Sequence, residues 1–201
     1  MKPYSLRTAA ALALAAGAAP GVLADQAKVE AIAVTVCGAC HGADGNSATP
    51  AFPKLAGLDS AYLHKQLEDF QAKRRQSEIM QPMVDALSEQ ELAGLAAYFA
   101  GKKSVRGAAT EPALVETGRK LYGDGNPVSG VPACSGCHGA DGEGNGRFPR
   151  LAGQHAEYMT NQLKLFAASA RKNDKRLMQA VAYRLTEKEM HAVAQFLASQ
   201  P

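Results

Sequence analysis

The ten residues CGACHGADGN (Cys37 to Asn46) return later in the chain as CSGCHGADGE (Cys134 to Glu143). Both stretches keep the pattern Cys-x-x-Cys-His, and together they contain all four cysteines of the 201-residue chain. The spacing brings two thiols and one imidazole onto a single helical turn. The repeated stretch therefore predicts two equivalent sites, each assembled from one short piece of backbone.

The match between the two halves of the chain extends well beyond the cysteines. FPKLAGLDSAYLHKQLEDF (52–70) aligns with FPRLAGQHAEYMTNQLKLF (148–166), and IMQPMVDALSEQELAGLAAYF (79–99) aligns with LMQAVAYRLTEKEMHAVAQFL (177–197). The offset is 96 for the first pair and 98 for the second. Self-similarity of this length indicates one structural unit that has been duplicated.

Three segments follow from the repeat and from composition. Residues 1–24 form a predicted signal peptide, 25–104 an N-terminal domain and 105–201 a C-terminal domain. The stretch AGKKSVRGAATEPA (100–113) joins the two copies, and its Gly, Lys, Ser and Pro content is typical of a linker.

Each copy is predicted to be all-α. A first helix runs into the cysteine motif (Gln26 to about Ala39, and about Pro112 to Tyr122), and a middle helix follows LAG. The last helix opens with Ser88-x-x-Glu91 in one copy and with Thr186-x-x-Glu189 in the other. Both are capping boxes, in which a hydroxyl and a carboxylate satisfy free amides of the first turn.

The amino terminus has the order of a secretory signal peptide. Lys2 and Arg7 precede an Ala/Leu run that ends in small residues, and we expect cleavage near Ala24 and export to the periplasm. The apolar run holds about a dozen residues before Pro20, fewer than the roughly 20 that cross a bilayer. Removing Lys2 and Arg7 lowers the formal net charge from +3 to +1, because every acidic residue follows Ala24. This charge does not favour nucleic-acid binding.

Cys-x-x-Cys pairs serve three other chemistries that this sequence does not favour. A zinc site needs four protein ligands and would have to draw on both copies, whereas the duplication indicates that each copy is complete. A thioredoxin-like pair lies beside a βαβ pattern, and no strands are predicted here. A disulfide across two residues, although plausible in an exported protein, closes a very small loop and stabilises little.

The histidine after each pair identifies the chemistry. Cys-x-x-Cys-His is the attachment signature of c-type haem, in which both thiols bind the porphyrin and the histidine ligates iron. We therefore predict two covalently bound haem c groups, with the thioether and iron-binding residues Cys37, Cys40, His41, Cys134, Cys137 and His138. Two buried porphyrins would also supply the large apolar surface that a Trp-free, Ala-rich chain lacks.

The family resemblance described below implies a methionine as the opposite iron ligand, and the repeat selects which methionine. The first copy offers Met80 and Met83, and composition alone does not choose between them. Among the methionines of the second copy, only Met178 aligns with a methionine of the first, which is Met80. Met83 aligns with Val181, which does not bind iron. We therefore predict Met80 and Met178 as the distal ligands.

These residues make the chain resemble the dihaem cytochrome c4 family. The resemblance runs from about Asp25 to Gln200 and is carried by CHGADGNS, FPKLAG, SEQELAGLAAYFA, FPRLAGQHAEY and NDKRLMQAVA. It implies two tandem cytochrome c-like domains related by a pseudo-twofold axis, with His/Met ligation of both irons. It also implies that the carbonyls of Pro53 and Pro149 accept a hydrogen bond from the iron-ligating imidazoles.

The same resemblance implies a role and its partners. Family members carry electrons in the periplasm toward terminal oxidases, and some associate peripherally with the membrane. The expected donor is a membrane quinol-oxidising complex, and the expected acceptor is a haem-copper oxidase.

A second function class is the haem subunit of a dehydrogenase, or a peroxidase. Such proteins need an open axial position on iron, which His/Met ligation in both copies would close. Paired carboxylates, an activated nucleophile and a phosphate-binding loop are missing from the sequence, so we predict an electron-transfer protein and no catalytic residues. His64, His155 and His191 are not repeated, and surface or partner-facing positions are expected for all three.

Overall fold

The computed structural model describes residues 20–201, with side chains described from residue 25 onward. Of the predicted signal peptide, residues 1–19 lie outside the described part, and residues 20–24 begin the first helix. The N-terminal unit (up to residue 104) contains α1 (Pro20–Ile32), α2 (Gly38–His41), α3 (Ser60–Gln71), α4 (Met80–Val84) and α5 (Glu89–Ala100). The C-terminal unit (105–201) contains α6 (Val115–Asp124), α7 (Ser135–His138), α8 (Ala156–Ala167), α9 (Leu177–Ala182) and α10 (Glu187–Ala198).

The prediction of an all-α fold is confirmed. Between residues 20 and 201 the extended structure is limited to two isolated bridges, Asn126 with Val131 and Asn145 with Phe148. A π-helical turn (Ala33–Cys37) joins α1 to α2, and a 3₁₀ turn (Pro112–Leu114) precedes α6. None of the described helices is both long and apolar enough to span a membrane.

Both predicted capping boxes form. The Ser88 hydroxyl accepts from the Glu91 amide at 3.3 Å, and the Glu91 carboxylate accepts from the Ser88 amide at 2.7 Å. Thr186 and Glu189 make the same reciprocal pair at 3.2 and 2.8 Å. The start of the last helix is therefore fixed identically in the two units.

The first and last helices of each unit are in close contact at a glycine. In the C-terminal unit a Cβ on Gly118 would lie 1.9 Å from the Ala192 carbonyl oxygen. In the N-terminal unit the small residue is on the other helix, because a Cβ on Gly94 would lie 2.7 Å from the Val29 methyl Cγ2. The same crossing is thus built from a glycine on opposite partners.

The two units differ in how the first helix reaches the cysteines. The N-terminal unit has a continuous helical path from α1 to Cys37, as predicted. The C-terminal unit does not, because α6 ends at Asp124 and residues 125–133 follow before Cys134. Asn126 holds this segment by pairing with Val131 at 2.8 and 3.0 Å and by donating to the Glu189 carboxylate at 2.7 Å. The predicted bounds of this helix, about Pro112 to Tyr122, agree with the 3₁₀ turn and α6, but the helix does not continue into the cysteine motif of the second copy.

The units meet through two equivalent sets of side chains. Each set holds a tyrosine, a glutamine and an arginine at an offset of 96, namely Tyr62, Gln66, Arg75 and Tyr158, Gln162, Arg171. Arg75 donates to Tyr158 at 2.9 Å and to Gln162 at 3.1 Å, and Arg171 donates to Tyr62 at 3.2 Å and to Gln66 at 3.1 Å. Such reciprocal exchange is what twofold symmetry produces at an interface. The contacts agree with the expected pseudo-twofold relation between the units.

One buried carboxylate breaks this symmetry. Asp69 is 3% exposed and accepts from Lys65, from Arg74 at 2.6 Å and from Asn173 of the other unit at 2.6 Å. Its counterpart is Leu165, which is 41% exposed. At this pair of equivalent positions, only the N-terminal unit contributes a buried carboxylate to the interface.

The linker lies along both units. Val105 accepts from the Lys54 ammonium at 2.8 Å, whereas Arg106 donates to the Ser199 carbonyl at 2.6 Å. The amides of Thr110 and Glu111 both donate to the Gln195 side chain, at 2.8 and 3.1 Å. The linker therefore changes from contacts with the first unit to contacts with the second at residues 105–106.

Candidate functional site

The cysteines and histidine of each motif share one short helix and its first flanking residue. Cys37 and Cys134 precede α2 and α7, and Cys40 and Cys137 lie within them. All four thiols are free, the first of each pair partly buried and the second exposed. Burial raises the pKa of the Cys37 thiol and raises that of Cys134 to about 11. Each site thus has a covered end and an end at the protein surface.

The two histidines are held alike. His41 and His138 end α2 and α7, and each is 6% exposed. The Nδ1 atom of His41 lies 2.8 Å from the Pro53 carbonyl oxygen, and that of His138 lies 3.0 Å from the Pro149 carbonyl oxygen. The hydrogen bonds expected at Pro53 and Pro149 are therefore confirmed.

These bonds fix the state of both imidazoles. A carbonyl only accepts, so Nδ1 carries the proton and Nε2 is left with its lone pair. Burial lowers the pKa of His41 and His138, although the bond to the carbonyl acts in the opposite direction. Neutral imidazole with a free nitrogen is the form that ligates metal.

The donor set fits a c-type haem in both units. Two free thiols and a neutral imidazole with an engaged Nδ1 are what covalent attachment and axial ligation require. Within the described residues, Nε2 of neither His41 nor His138 has a hydrogen-bond partner. The same arrangement occurs twice, and this agrees with two haem groups per chain.

The predicted methionine ligands begin two short helices. Met80 is the first residue of α4, and its amide donates to the Ser77 hydroxyl at 3.0 Å. Met178 is the second residue of α9, and its amide donates to the Asp174 carboxylate at 2.6 Å. Met83 lies on α4 and is 49% exposed. Both Met80 and Met178 are partly buried.

Ser77 and Asp174, whose side chains accept from the amides of Met80 and Met178, are functional candidates that the sequence analysis missed. Each lies three or four positions before its methionine, while the N-cap positions of the two helices are Ile79 and Arg176, which make no side-chain cap hydrogen bond. The spacing is present in the sequence, but the helices are only five and six residues long. Their periodicity is too short to identify them.

The three unrepeated histidines have different surroundings. His64 lies 2.8 Å from the Glu89 carboxylate, and His191 lies 3.3 Å from that of Glu111. Both are partly buried, and the Nε2 atom of His64 is itself buried. His155 instead reaches the other unit and contacts Ser47. It lies at the interface between the two units of this chain.

The basic residues that follow the two prolines also differ. Lys54 is 8% exposed, donates to the linker carbonyl of Val105, and has a pKa lowered by burial. Arg150 donates to the carbonyl of the terminal Pro201, and its Nε atom is buried without a partner. Lys54 thus supports the linker, while Arg150 supports the carboxyl terminus.

Comparison with known proteins matches these features to one group. The chain fits the family described as cytochrome c over residues 26–101 and 115–201. It is 49% identical over 184 residues to cytochrome c4 of Thiocapsa roseopersicina, covering 90% of this chain and 94% of that protein. A crystal structure of reduced recombinant cytochrome c4 from Pseudomonas stutzeri superposes with a TM-score of 0.82 at 42% identity, covering 89% of this chain and 98% of that one.

A further relative has a name that states its role. It is the thiosulfate dehydrogenase electron acceptor of Stutzerimonas stutzeri (strain A1501), 39% identical over 172 residues. The match covers 83% of this chain and 80% of that protein.

Proposed function

This chain belongs to the cytochrome c4 family of dihaem c-type cytochromes, and on that premise we propose that it is a periplasmic electron carrier. Electrons would enter from a membrane quinol-oxidising complex and leave to a haem-copper oxidase or another respiratory acceptor. The single observation that carries the proposal is the pair of His–Pro hydrogen bonds, which prepares two equivalent imidazole ligands in one chain.

We propose Cys37, Cys40, Cys134 and Cys137 as the attachment residues, with His41 and His138 as one axial ligand of each iron. Each haem would supply a one-electron couple between ferric and ferrous iron. The protein's own contribution is orientation. The carbonyls of Pro53 and Pro149 hold the imidazole planes and keep Nε2 unprotonated.

Met80 and Met178 are proposed as the opposite ligands. Ser77 and Asp174 fix the amide ends of α4 and α9, so each thioether starts from an anchored turn. A thioether opposite imidazole raises the reduction potential, which suits a protein that feeds an oxidase. With a histidine and a methionine holding each iron, neither iron would offer a site for substrate.

The proposed domain boundary lies between residues 104 and 105, one residue before the linker changes its contacts from one unit to the other. Export depends on the predicted signal peptide 1–24 and its cleavage near Ala24. The exposed thiols Cys40 and Cys137 place one end of each site where a redox partner can approach. Peripheral membrane association would follow from docking to a membrane-bound donor.

The second candidate is an electron acceptor for a dehydrogenase. It is favoured by the relative named as a thiosulfate dehydrogenase electron acceptor. Both candidates use the same two sites and differ in the donor. Stopped-flow reduction of the oxidised protein, by a quinol-oxidising complex in one arm and by a thiosulfate dehydrogenase in the other, distinguishes them.

The ligand assignment is tested with three methionine variants. Met80→Ala and Met178→Ala should each remove about half of the weak red absorption band of ferric His/Met haem and open one iron to carbon monoxide. Met83→Ala is the matched control on the same helix as Met80 and should leave the whole band. Loss of half the band in Met83→Ala would assign the wrong sulfur in the N-terminal unit.

Haem content is tested separately. The pyridine haemochrome value should be two per chain and should fall to one in the double variant Cys37→Ser/Cys40→Ser. A denaturing gel should retain haem stain on the protein band. Extraction of the colour into acid acetone would contradict covalent attachment.

A further inference from the structure

We propose that Gln154 and His155 of the C-terminal unit are positioning residues for the iron site of the N-terminal unit, and that they lower its reduction potential. The proposal rests on the proposed function, in which His41 ligates the first iron. Contacts from the C-terminal unit would thus help to set the reduction potential of the N-terminal site.

Gln154 forms a two-bond pair with the backbone of Lys54. Its Oε1 atom accepts from the Lys54 amide at 2.9 Å, and its Nε2 atom donates to the Lys54 carbonyl at 2.9 Å. Gln154 is 7% exposed and Lys54 is 8% exposed. Hydrogen bonds shielded from water in this way are costly to leave unpaired. The amide of Gln154 therefore fixes the backbone at residue 54.

His155 fixes the same loop at its other end. Its Nε2 atom lies 2.9 Å from the Ser47 hydroxyl and 3.0 Å from the Ser47 carbonyl oxygen. The Ser47 hydroxyl donates its hydrogen bond to the Phe52 carbonyl at 2.7 Å, so it is an acceptor toward His155. Nε2 of His155 therefore carries the proton and donates. Ser47, at the centre of these contacts, is 3% exposed, and His155 and Phe52 are partly buried.

Between these two contacts lies the carbonyl that holds the iron ligand. Pro53 stands between Phe52 and Lys54, and its oxygen accepts from Nδ1 of His41 at 2.8 Å. Its backbone neighbours on both sides are tied to the C-terminal unit, directly at Lys54 and through Ser47 at Phe52. Any freedom of the Pro53 carbonyl is thus restricted by residues that lie about 100 positions later in the chain.

The support runs in one direction only. By the repeat, the counterparts of Gln154 and His155 are Leu58 and Asp59. Leucine has no polar atom to offer, and Asp59 is occupied as the cap of α3, where it accepts from the Tyr62 amide at 3.0 Å. In the described part of the chain, the side-chain hydrogen bonds of residues 148–150 stay within the C-terminal unit. The loop of the Pro149 carbonyl is instead held within its own unit, where Asn145 and Phe148 pair at 2.8 and 3.0 Å.

The bond to Pro53 acts on iron through the imidazole. An acceptor on the far nitrogen raises the basicity of a ligating histidine, and more basic ligands favour the ferric state. If the backbone at Pro53 becomes more mobile, its carbonyl oxygen accepts less well from Nδ1 of His41. Loss of the brace should therefore raise the potential of the N-terminal site and leave that of the C-terminal site in place.

The experiment is a redox titration of the whole loaded protein, resolved into its two couples. The couple that Met80→Ala moves is assigned to the N-terminal unit. His155→Ala and Gln154→Met remove the two contacts. His155→Gln is the conservative variant, because its amide nitrogen donates from nearly the same position. His191→Ala is the matched control, a histidine of the same unit that contacts a surface carboxylate.

We expect the N-terminal couple to rise in both His155→Ala and Gln154→Met. A tenfold change in the reduction equilibrium corresponds to 59 mV for one electron, and we expect a shift up to that size. The C-terminal couple, the haem content and the red band should stay unchanged. His155→Gln should return the N-terminal couple toward wild type, and His191→Ala should move neither.

The proposal is overturned if both couples stay in place, if both shift alike, or if only the C-terminal couple moves. A variant that loses haem is replaced in the test by Gln154→Glu, which keeps the acceptor for the Lys54 amide and loses the donor. Failure of the proposed function is distinct, because the protein would then lack two titrating couples or a couple that responds to Met80→Ala.

Discussion

The last helices of the two units, α5 and α10, have the same length and the same capping box but different burial. Four residues of α5 are buried. In α10 eight residues are buried, namely Met190 and all seven from Ala192 to Ala198. The difference lies in what covers them. Gln195 of α10 is 2% exposed and binds the linker at residues 110–111, while its counterpart Ala97 is exposed.

This comparison separates two kinds of information in a duplicated chain. The residues proposed to hold iron are repeated with their spacing, and His41 and His138 make the same contact with a proline carbonyl in both copies. The residues that cover and brace each unit are not repeated, and they make the two units physically different. Variants that exchange such residues between the copies test how far this division holds.

The largest difference is expected at the helix crossings. Gly118→Ala would place a Cβ 1.9 Å from the Ala192 carbonyl oxygen. This oxygen belongs to the helix backbone, which, unlike a side chain, cannot relieve the clash by changing rotamer. We expect a loss of about 3 kcal/mol in unfolding free energy for the C-terminal unit. Gly94→Ala meets only a Val29 methyl at 2.7 Å, and should cost under about 1 kcal/mol, because alanine is the better helix former. Urea unfolding of both variants measures this, and equal losses would contradict the comparison.

The buried acid at the interface gives the next effect. Burial alone would raise the pKa of Asp69, but hydrogen bonds from Lys65, Arg74 and Asn173 hold it below its ordinary value of 3.8. A lowered pKa in the folded state contributes stability above the unfolded value, and this stability is lost as the pH falls below about 4. Asp69→Asn should therefore cost about 2 kcal/mol at pH 7 and much less at pH 3.

Urea unfolding of the wild type and of Asp69→Asn at both pH values provides the measurement. Glu116→Gln is the control, since the pKa of Glu116 is also lowered, by Arg119, but on an exposed surface. A difference between wild type and Asp69→Asn that is unchanged between pH 7 and pH 3 would show that the charge of Asp69 is not what stabilises the interface.

A smaller effect is expected where the linker covers α10. Gln195→Ala removes the acceptor for the amides of Thr110 and Glu111 and the donor to the Thr110 hydroxyl at 2.9 Å. We expect a loss of about 1.5 kcal/mol in the C-terminal unit and faster proteolysis of the linker. The reverse exchange, Ala97→Gln, should change the unfolding free energy by less than about 0.5 kcal/mol. A linker cleaved at the wild-type rate in Gln195→Ala would argue against this role.

The smallest difference is expected at the caps, which are alike in both units. Ser88→Ala and Thr186→Ala should each cost about 1 kcal/mol, with the two losses equal within error. Thermal unfolding followed by circular dichroism gives both values. A cap that matters in one unit only would mean that tertiary contacts, and not the local motif, fix the start of that helix.

The features that could be predicted are those with local causes. Short sequence motifs specify the Cys-x-x-Cys-His turns and the capping boxes at Ser88 and Thr186. The all-α fold follows from helical periodicity, which is also a local pattern. The methionine ligands stay a prediction, and they depend on the repeat because Met80 and Met83 are chemically alike. The segment 125–133 was not foreseen, since it has no counterpart in the first copy from which to infer a path.

The contacts between the units could not be predicted for a different reason. Gln154 and Lys54 are joined only once both units are folded, and no spacing rule links residues 100 positions apart. Arg75 and Arg171 are visible as a repeated pair, yet nothing local indicates that each crosses to the other unit. The repeat reveals equivalent positions, whereas the interface depends on how two equivalent bodies are placed.

The reciprocal exchange of Arg75 and Arg171 has a consequence for assembly. A surface that is its own complement would bring two separate copies together only at high concentration. The linker between α5 and the 3₁₀ turn, residues 101–111, keeps the second copy near the first at an effective concentration of roughly millimolar. Modest affinity is then enough to keep the units docked at any dilution. Cutting this linker would turn a concentration-independent pairing into one that dissociates on dilution.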